Sequence, residues 1–83
     1  MKVLYFAWIK SKTGTAAEDV SPPDGVTDVA GLVGWLKGRS PGHGDAFANL
    51  EVVQVAVNHE FAPFDHPVGP GDEVAFFPPM TGG

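Results

Sequence analysis

Proline and glycine divide this chain into pieces too short for any long element. Ser21-Pro22-Pro23-Asp24-Gly25, Ser40-Pro41-Gly42, Gly69-Pro70-Gly71-Asp72 and Pro78-Pro79 each stop regular structure. Proline lacks the backbone donor that helices and ladders need, and glycine favours turns. With 83 residues, the expectation is one domain over residues 1–83, in which every segment contributes a face to a thin core. A composition 43% hydrophobic and 18% charged excludes both a disordered chain and a membrane protein.

Between the breaks, apolar periodicity assigns the segments. Val3 to Ile9 is β-branched and aromatic and reads as a strand, apolar on both faces. Ser11 to Thr15, with Gly14, reads as a turn, and Ala16 to Val20 as the returning partner of a hairpin. Thr27 or Asp28 suits a helix N-cap. After it, Val29, Leu32, Val33 and Leu36 form one stripe at helical period, and Lys37 and Arg39 suit the last turn. Gly31 and Gly34 weaken that helix, so it must form by packing against a sheet. Gly42 to Asn49 reads as a loop with a short helical turn at Asp45–Ala48. Val52 to Val57 is a second strong strand, Asn58-His59-Glu60 a turn leading into Phe61, and Glu73 to Phe77 the last strand. Strand, strand, helix, strand, short strand, strand fits an α+β class: a β-grasp, with one main helix laid across one face of a small mixed sheet.

Charge and missing residue types exclude several functions. Five Lys+Arg against ten Asp+Glu give a formal charge of −5, which disfavours nucleic acid and points to a basic protein partner. No cysteine is present, which removes disulfides, thiol nucleophiles and cysteine-held metals and favours a reducing, cytoplasmic address. Lys2 and the run after it could mimic an export signal, but the run is short and Lys10 and Lys12 follow where a cleavage site would sit. No stretch approaches a membrane span, so no membrane partner is expected. His43, His59 and His66 fall in predicted loops and turns as solvated imidazoles, without the paired spacing of a metal site. Ser11, Ser21 and Ser40 lack a nucleophile context, and no phosphate-binding glycine loop exists.

What remains is the last strand and the residues after it. Alternation turns Val74 and Phe76 inward and Ala75 and Phe77 outward. In the first strand the same rule groups Val3, Tyr5 and Ala7 on one face and Leu4, Phe6 and Trp8 on the other. If the two strands are neighbours, Phe6 and Phe77 form an exposed apolar patch beside the tail, as protein interfaces do. Pro78-Pro79 stiffens the exit into a tail over residues 78–83 that is otherwise flexible, and Gly82-Gly83 has no Cβ to keep it out of a narrow channel. A terminal carboxylate must be activated before acyl chemistry, so such an arm suits an activating partner. A frayed, inert end is the plain alternative.

Phe64-Asp65-His66-Pro67, followed by Gly71 to Gly83 with its Phe-Phe-Pro-Pro-Met-Thr-Gly-Gly ending, resembles the small subunit of molybdopterin synthase, the MoaD or molybdopterin-converting factor subunit 1 family. The resemblance extends to Lys2-Val3-Leu4-Tyr5-Phe6-Ala7, the central helix and Ala56-Val57-Asn58. It implies a ubiquitin-like β-grasp fold and a non-catalytic sulfur carrier in molybdenum cofactor biosynthesis, with catalytic groups on the large subunit. Gly83 would be adenylated by an E1-like enzyme using ATP and converted to a thiocarboxylate. Within a heterotetramer with the large subunit, it would give its sulfur to cyclic pyranopterin monophosphate. No cofactor is bound permanently and no metal is held. Phe6, Phe61 and Phe77 would contact partners, and Pro78, Pro79, Met80, Thr81 and Gly82 would form the inserted arm. Met80 stands where the family commonly has a smaller apolar residue, and the helix is unusually glycine-rich. Two related readings stay open: a thiamine-pathway sulfur carrier, which lacks the Phe-Phe-Pro-Pro run, and a ubiquitin-like modifier joined to target lysines.

Overall fold

In the computed structural model, residues 1–79 are described. The elements are β1 (Lys2–Tyr5), α1 (Ala7–Thr13), β2 (Ala17–Asp19), α2 (Val29–Lys37), α3 (Pro41–Ala46), a 3-10 turn at Leu50–Val52, β3 (Gln54–Val57), β4 (Glu60–Phe61) and β5 (Glu73–Phe77). They build a five-stranded sheet in the order β2-β1-β5-β3-β4. β1 and β5 run parallel and the other pairs antiparallel, the mixed sheet of a β-grasp.

Burial follows the alternation expected from sequence. Val3 and Tyr5 on β1, Val55 and Val57 on β3, and Val74 and Phe76 on β5 all turn to one face and are buried. α2 covers that face with Val29, Leu32, Val33 and Leu36, so the stripe meets the sheet as predicted. Asp28 caps α2, its carboxylate accepting from the Gly31 N–H at 2.8 Å. The aromatic centre is Phe76, which lies edge-on to Phe47 at 4.9 Å and stacks on Tyr5 at 6.3 Å.

The structure corrects the expected first strand. β1 ends at Tyr5, and the chain turns through Ala7 (φ 54°) into α1 instead of continuing to Ile9. The last ladder bond runs from the Phe6 N–H to the Phe76 carbonyl at 3.1 Å. On the β2 side the pairing ends at Leu4, followed by one bond from the Tyr5 N–H to the Ala16 carbonyl at 2.9 Å, so a longer strand would find no further partner on that edge. Ile9 reaches the core from the helix instead. The signal for this was present: Lys10 and Lys12 fill the last turn, and Gly14 (φ 81°) closes it in the left-handed conformation.

A second correction concerns Ser40-Pro41-Gly42. α2 already ends at Lys37, and these residues start α3, with Ser40 as N-cap and proline in the first turn. The predicted loop with a turn at Asp45–Ala48 is therefore a helix four residues earlier in its start. Gly42 is required there: a Cβ would collide with the Lys12 carbonyl oxygen, so only glycine lets α3 lie against the end of α1. The strand expected from Val52 begins at Gln54, after the 3-10 turn.

Candidate partner-docking surface

β5 sits between β1 and β3, and its register decides what surrounds its outward side chains. Ala75 lies opposite Leu4 on β1 and Ala56 on β3, and Phe77 lies opposite Gln54. Ala56 in turn pairs with Phe61 on the edge strand β4. Period-two alternation therefore puts Leu4, Ala56, Phe61, Ala75 and Phe77 on the face that no helix of the described residues covers. Phe61 is 77% exposed and its ring lies 5.6 Å from that of Phe77. Phe6, just past β1, is 48% exposed. Between them lies an open groove of about 580 Å³, bounded by Leu4, Phe6, Ala75, Phe77, Pro78 and Pro79.

The three phenylalanines expected to contact partners are thus brought to one face, with Phe6 and Phe77 on the groove and Phe61 against Phe77. Phe77 itself is half-buried by these neighbours. Pro78 and Pro79 leave β5 at the edge of the groove. Met80, Thr81, Gly82 and Gly83, expected as the working end of the arm, lie outside the described residues.

The groove has a polar rim that sequence reading treated as an ordinary turn. Asn58 (φ 51°) and His59 (φ 72°) both adopt left-handed backbone between β3 and β4, as a tight hairpin turn requires. Asn58 fastens this turn to β5: its N–H donates to the Glu73 carbonyl, its side-chain carbonyl accepts from the Glu73 N–H, and its amide donates to Asp72. The Asn58 amide and the Gly69 N–H together hold the Asp72 carboxyl below its usual pKa. His59 is 84% exposed and reaches Glu73 at 3.2 Å on the groove margin.

The other histidines divide. His66 takes part in the turn before residue 68, its N–H donating to Pro63 and its carbonyl accepting from Val29. His43 is not a solvated loop imidazole: it is 6% exposed, on α3. Its Nε2 lies 2.8 Å from Glu18 and its Nδ1 2.7 Å from the Ser40 hydroxyl. Glu18 also accepts from the Tyr5 hydroxyl at 2.7 Å and pairs with Arg39 at 3.1 Å. Burial opposes ionisation of Glu18, but the hydrogen bonds from His43 and Tyr5 and the charge of Arg39 outweigh it and hold its pKa below the usual range. Burial, then the bond to Glu18, raises the Tyr5 phenol well above its usual range. This cluster ties β2, β1 and α3 together. The Ser40 hydroxyl oxygen is committed to capping α3, accepting from the His43 N–H at 3.1 Å. Among the described residues, no group of three or more His, Asp and Glu side chains is placed to hold a metal ion. None of their helices is long and apolar enough to cross a membrane.

A sheet with this order and an uncovered apolar face at the root of its last strand agrees with what the sequence matches. The ThiS family profile covers residues 3–83. The chain belongs to the ThiS family. Over the full chain it is 39% identical to the molybdopterin synthase sulfur carrier subunit of Escherichia coli, and the match spans 99% of that protein. The small archaeal modifier protein 1 of Haloferax volcanii superposes with a TM-score of 0.79 at 27% identity, covering 96% of this chain and 97% of the other. Subunit 1 or 2 in the complex of molybdopterin-converting factor subunits from Helicobacter pylori matches with a TM-score of 0.64 at 23% identity. That match covers 99% of this chain and 96% of the other and speaks to the ubiquitin-like fold alone.

Proposed function

We propose that this ThiS-family chain is a sulfur carrier for molybdopterin synthesis, working from the cytoplasm on the C-terminal carboxyl of Gly83. The observation that carries the reading is full-length 39% identity to a protein of that name. Consistent with it, an uncovered apolar groove lies where Pro78-Pro79 leaves the sheet.

In this reading an E1-like enzyme transfers AMP from ATP to the Gly83 carboxylate, releasing pyrophosphate. A sulfur donor then displaces AMP and leaves a thiocarboxylate. Its sulfur is ionised at neutral pH and strongly nucleophilic, so the chain needs no cysteine of its own. Residues 78–83 act as the inserted arm: the prolines limit its entropy and the glycines let it enter a narrow channel. Phe6, Phe61 and Phe77 seat the carrier on the large subunit, which supplies the acids and bases for sulfur transfer to cyclic pyranopterin monophosphate. In this reading the carrier and the large subunit assemble into a heterotetramer.

The test is intact mass after incubation with ATP, a sulfur source and the activating enzyme, with and without a thiol alkylator. Exchange of oxygen for sulfur resembles oxidation of Met1 or Met80 in mass, so alkylation must be mapped. Because the chain has no cysteine, alkylation at Gly83 is the expected result, and a chain that stays unalkylated beside a competent activating enzyme would overturn the reading. The likeness to an archaeal modifier protein favours a second reading, attachment of Gly83 to target lysines. Isopeptide-linked ladders in cells would support it, and a chain found only free or as thiocarboxylate would exclude it.

A further inference from the structure

The two edges of the sheet are finished differently. The outer edge of β2 is blunted: the Thr15 hydroxyl donates to the Ala17 carbonyl at 2.9 Å, and Asp19 carries a charge there. At the other edge β4 is two residues long and pairs only with Ala56 and Val57. One bond follows, from the Ala62 N–H to the Val55 carbonyl at 3.1 Å. Pro63 then has no N–H to continue the ladder. The chain beyond it turns to α2 instead, where the Phe64 and His66 carbonyls accept from the Ala30 and Val29 N–H groups at 2.7 and 3.0 Å. Capping the helix in this way leaves the first half of β3 uncovered on that side.

The Asn58 N–H donates to Glu73 on β5, so by alternation the backbone groups of Gln54 and Ala56 also turn to β5, and those of Val53, Val55 and Val57 turn to the edge. The Val55 carbonyl is taken by Ala62, but the Val55 N–H meets no acceptor among the described residues. The Val53 N–H is taken by the Leu50 carbonyl at 3.1 Å, but the Val53 carbonyl meets no donor among them. An acceptor and, two residues later, a donor on one edge are the groups that a single residue of a parallel strand uses. Both valines are buried residues, and backbone groups there need partners. Beside them lies an open groove of about 500 Å³, walled by Phe61, Ala62, Pro63 and Phe64, and none of the residues that line it is charged.

We propose that this edge of β3 accepts an added strand: an extended segment of the large subunit lies parallel to β3, donating to the Val53 carbonyl and accepting from the Val55 N–H. Its apolar side chains pack against Phe61 and Phe64. The inference rests on the functional reading above, because it takes the large subunit as occupant. Continuity with the docking face is the reason for that choice. Phe61 borders this edge groove, and its ring also lies against Phe77 on the outer face, so a partner that covers Phe61 has reached the edge. Backbone groups supply the bonds, so the segment is recognised by its extended form and by apolar residues at alternate positions.

The experiment is amide hydrogen exchange, read residue by residue by NMR, on the full chain alone at several concentrations and saturated with the large subunit. In the free chain Val55 should exchange about tenfold or more faster than Ala56, whose N–H faces β5. In the complex Val55 should slow by about tenfold or more. Pro63 is exposed on the groove wall, and Pro63→Lys sets a charge beside the edge, which should weaken large-subunit binding several-fold while leaving Tm nearly unchanged. Val55 exchanging as slowly as Ala56 in the dilute free chain would show that its N–H is not available and overturn the proposal. So would a complex in which Val55 keeps its free rate, or a Pro63→Lys chain that binds as wild type does. Protection of Val55 that rises with the concentration of the free chain would assign the edge to a second copy and overturn the choice of occupant. A wild-type chain that does not bind the large subunit at all would refute the functional reading, and the proposal with it.

Discussion

The sheet has two apolar faces, and they differ in what covers them. On the inner face Val3, Val74 and Phe76 are fully buried under α2 and α3. On the outer face Phe61 is 77% and Phe6 48% exposed, around a groove that no element of the described residues closes. Phe76 and Phe77 are neighbours in one strand with the same side chain, yet one is a core aromatic and the other a surface one. The difference shows that side-chain chemistry alone does not decide a residue's role. In a pleated strand a shift of one position exchanges burial in the core for exposure on the outer face.

The largest expected effect tests the inner face. Phe76→Ala removes the ring that Tyr5 and Phe47 pack on and should cost about 3–5 kcal/mol in a urea titration, a large share of a small domain's stability. The matching change outside, Phe77→Ala, should leave the urea midpoint far less affected while weakening large-subunit affinity by about 2 kcal/mol or more, as central aromatic anchors do. If the two variants lose stability equally, the division between the faces fails.

A smaller effect concerns the cover. Gly34 lies exposed in the interior of α2, and a Cβ there meets nothing, whereas one at Gly31 would press on the Asp28 cap at 3.1 Å. Gly34→Ala should therefore raise stability by about 1 kcal/mol, visible as a higher Tm, and Gly31→Ala should gain less.

The smallest effect is at the edge of the inner face, where Glu18 holds Tyr5, His43 and Arg39. Glu18 ionises more readily in the folded chain than in the unfolded one. Its contribution is therefore complete above the ordinary glutamate range, about pH 4.3, and fades as pH falls through the lower folded value. Tm measured from pH 6 to pH 2 should fall less steeply for Glu18→Gln than for wild type. Asp72, shifted in the same direction, keeps part of the slope in both proteins.

Much of the fold and part of the site were legible in the sequence. The α2 stripe, its Asp28 cap and the inward and outward sets of β5 follow from periodicity, because each element there is long enough to show its period. The region after Tyr5 was not legible by that route. Phe6 to Ile9 is apolar in every position, and such a run reads equally well as strand or helix. The Ser40 cap was hidden for a related reason: Ser-Pro-Gly both ends one element and begins another.

Sequence by itself determined the alternation, the punctuation and the residue types available for chemistry, since these depend on local backbone geometry and on side chains present or missing. Tertiary structure alone decided which outward residues meet. Placing β5 between β1 and β3 brings Leu4, Ala56, Phe61 and Phe77 to one face, and the Asn58–His59 turn sets His59 beside Glu73. It also buried His43, which nothing in its own segment marks as an inner residue. These outcomes depend on pairings distant in the chain, and such pairings are selected by the packing of the whole core.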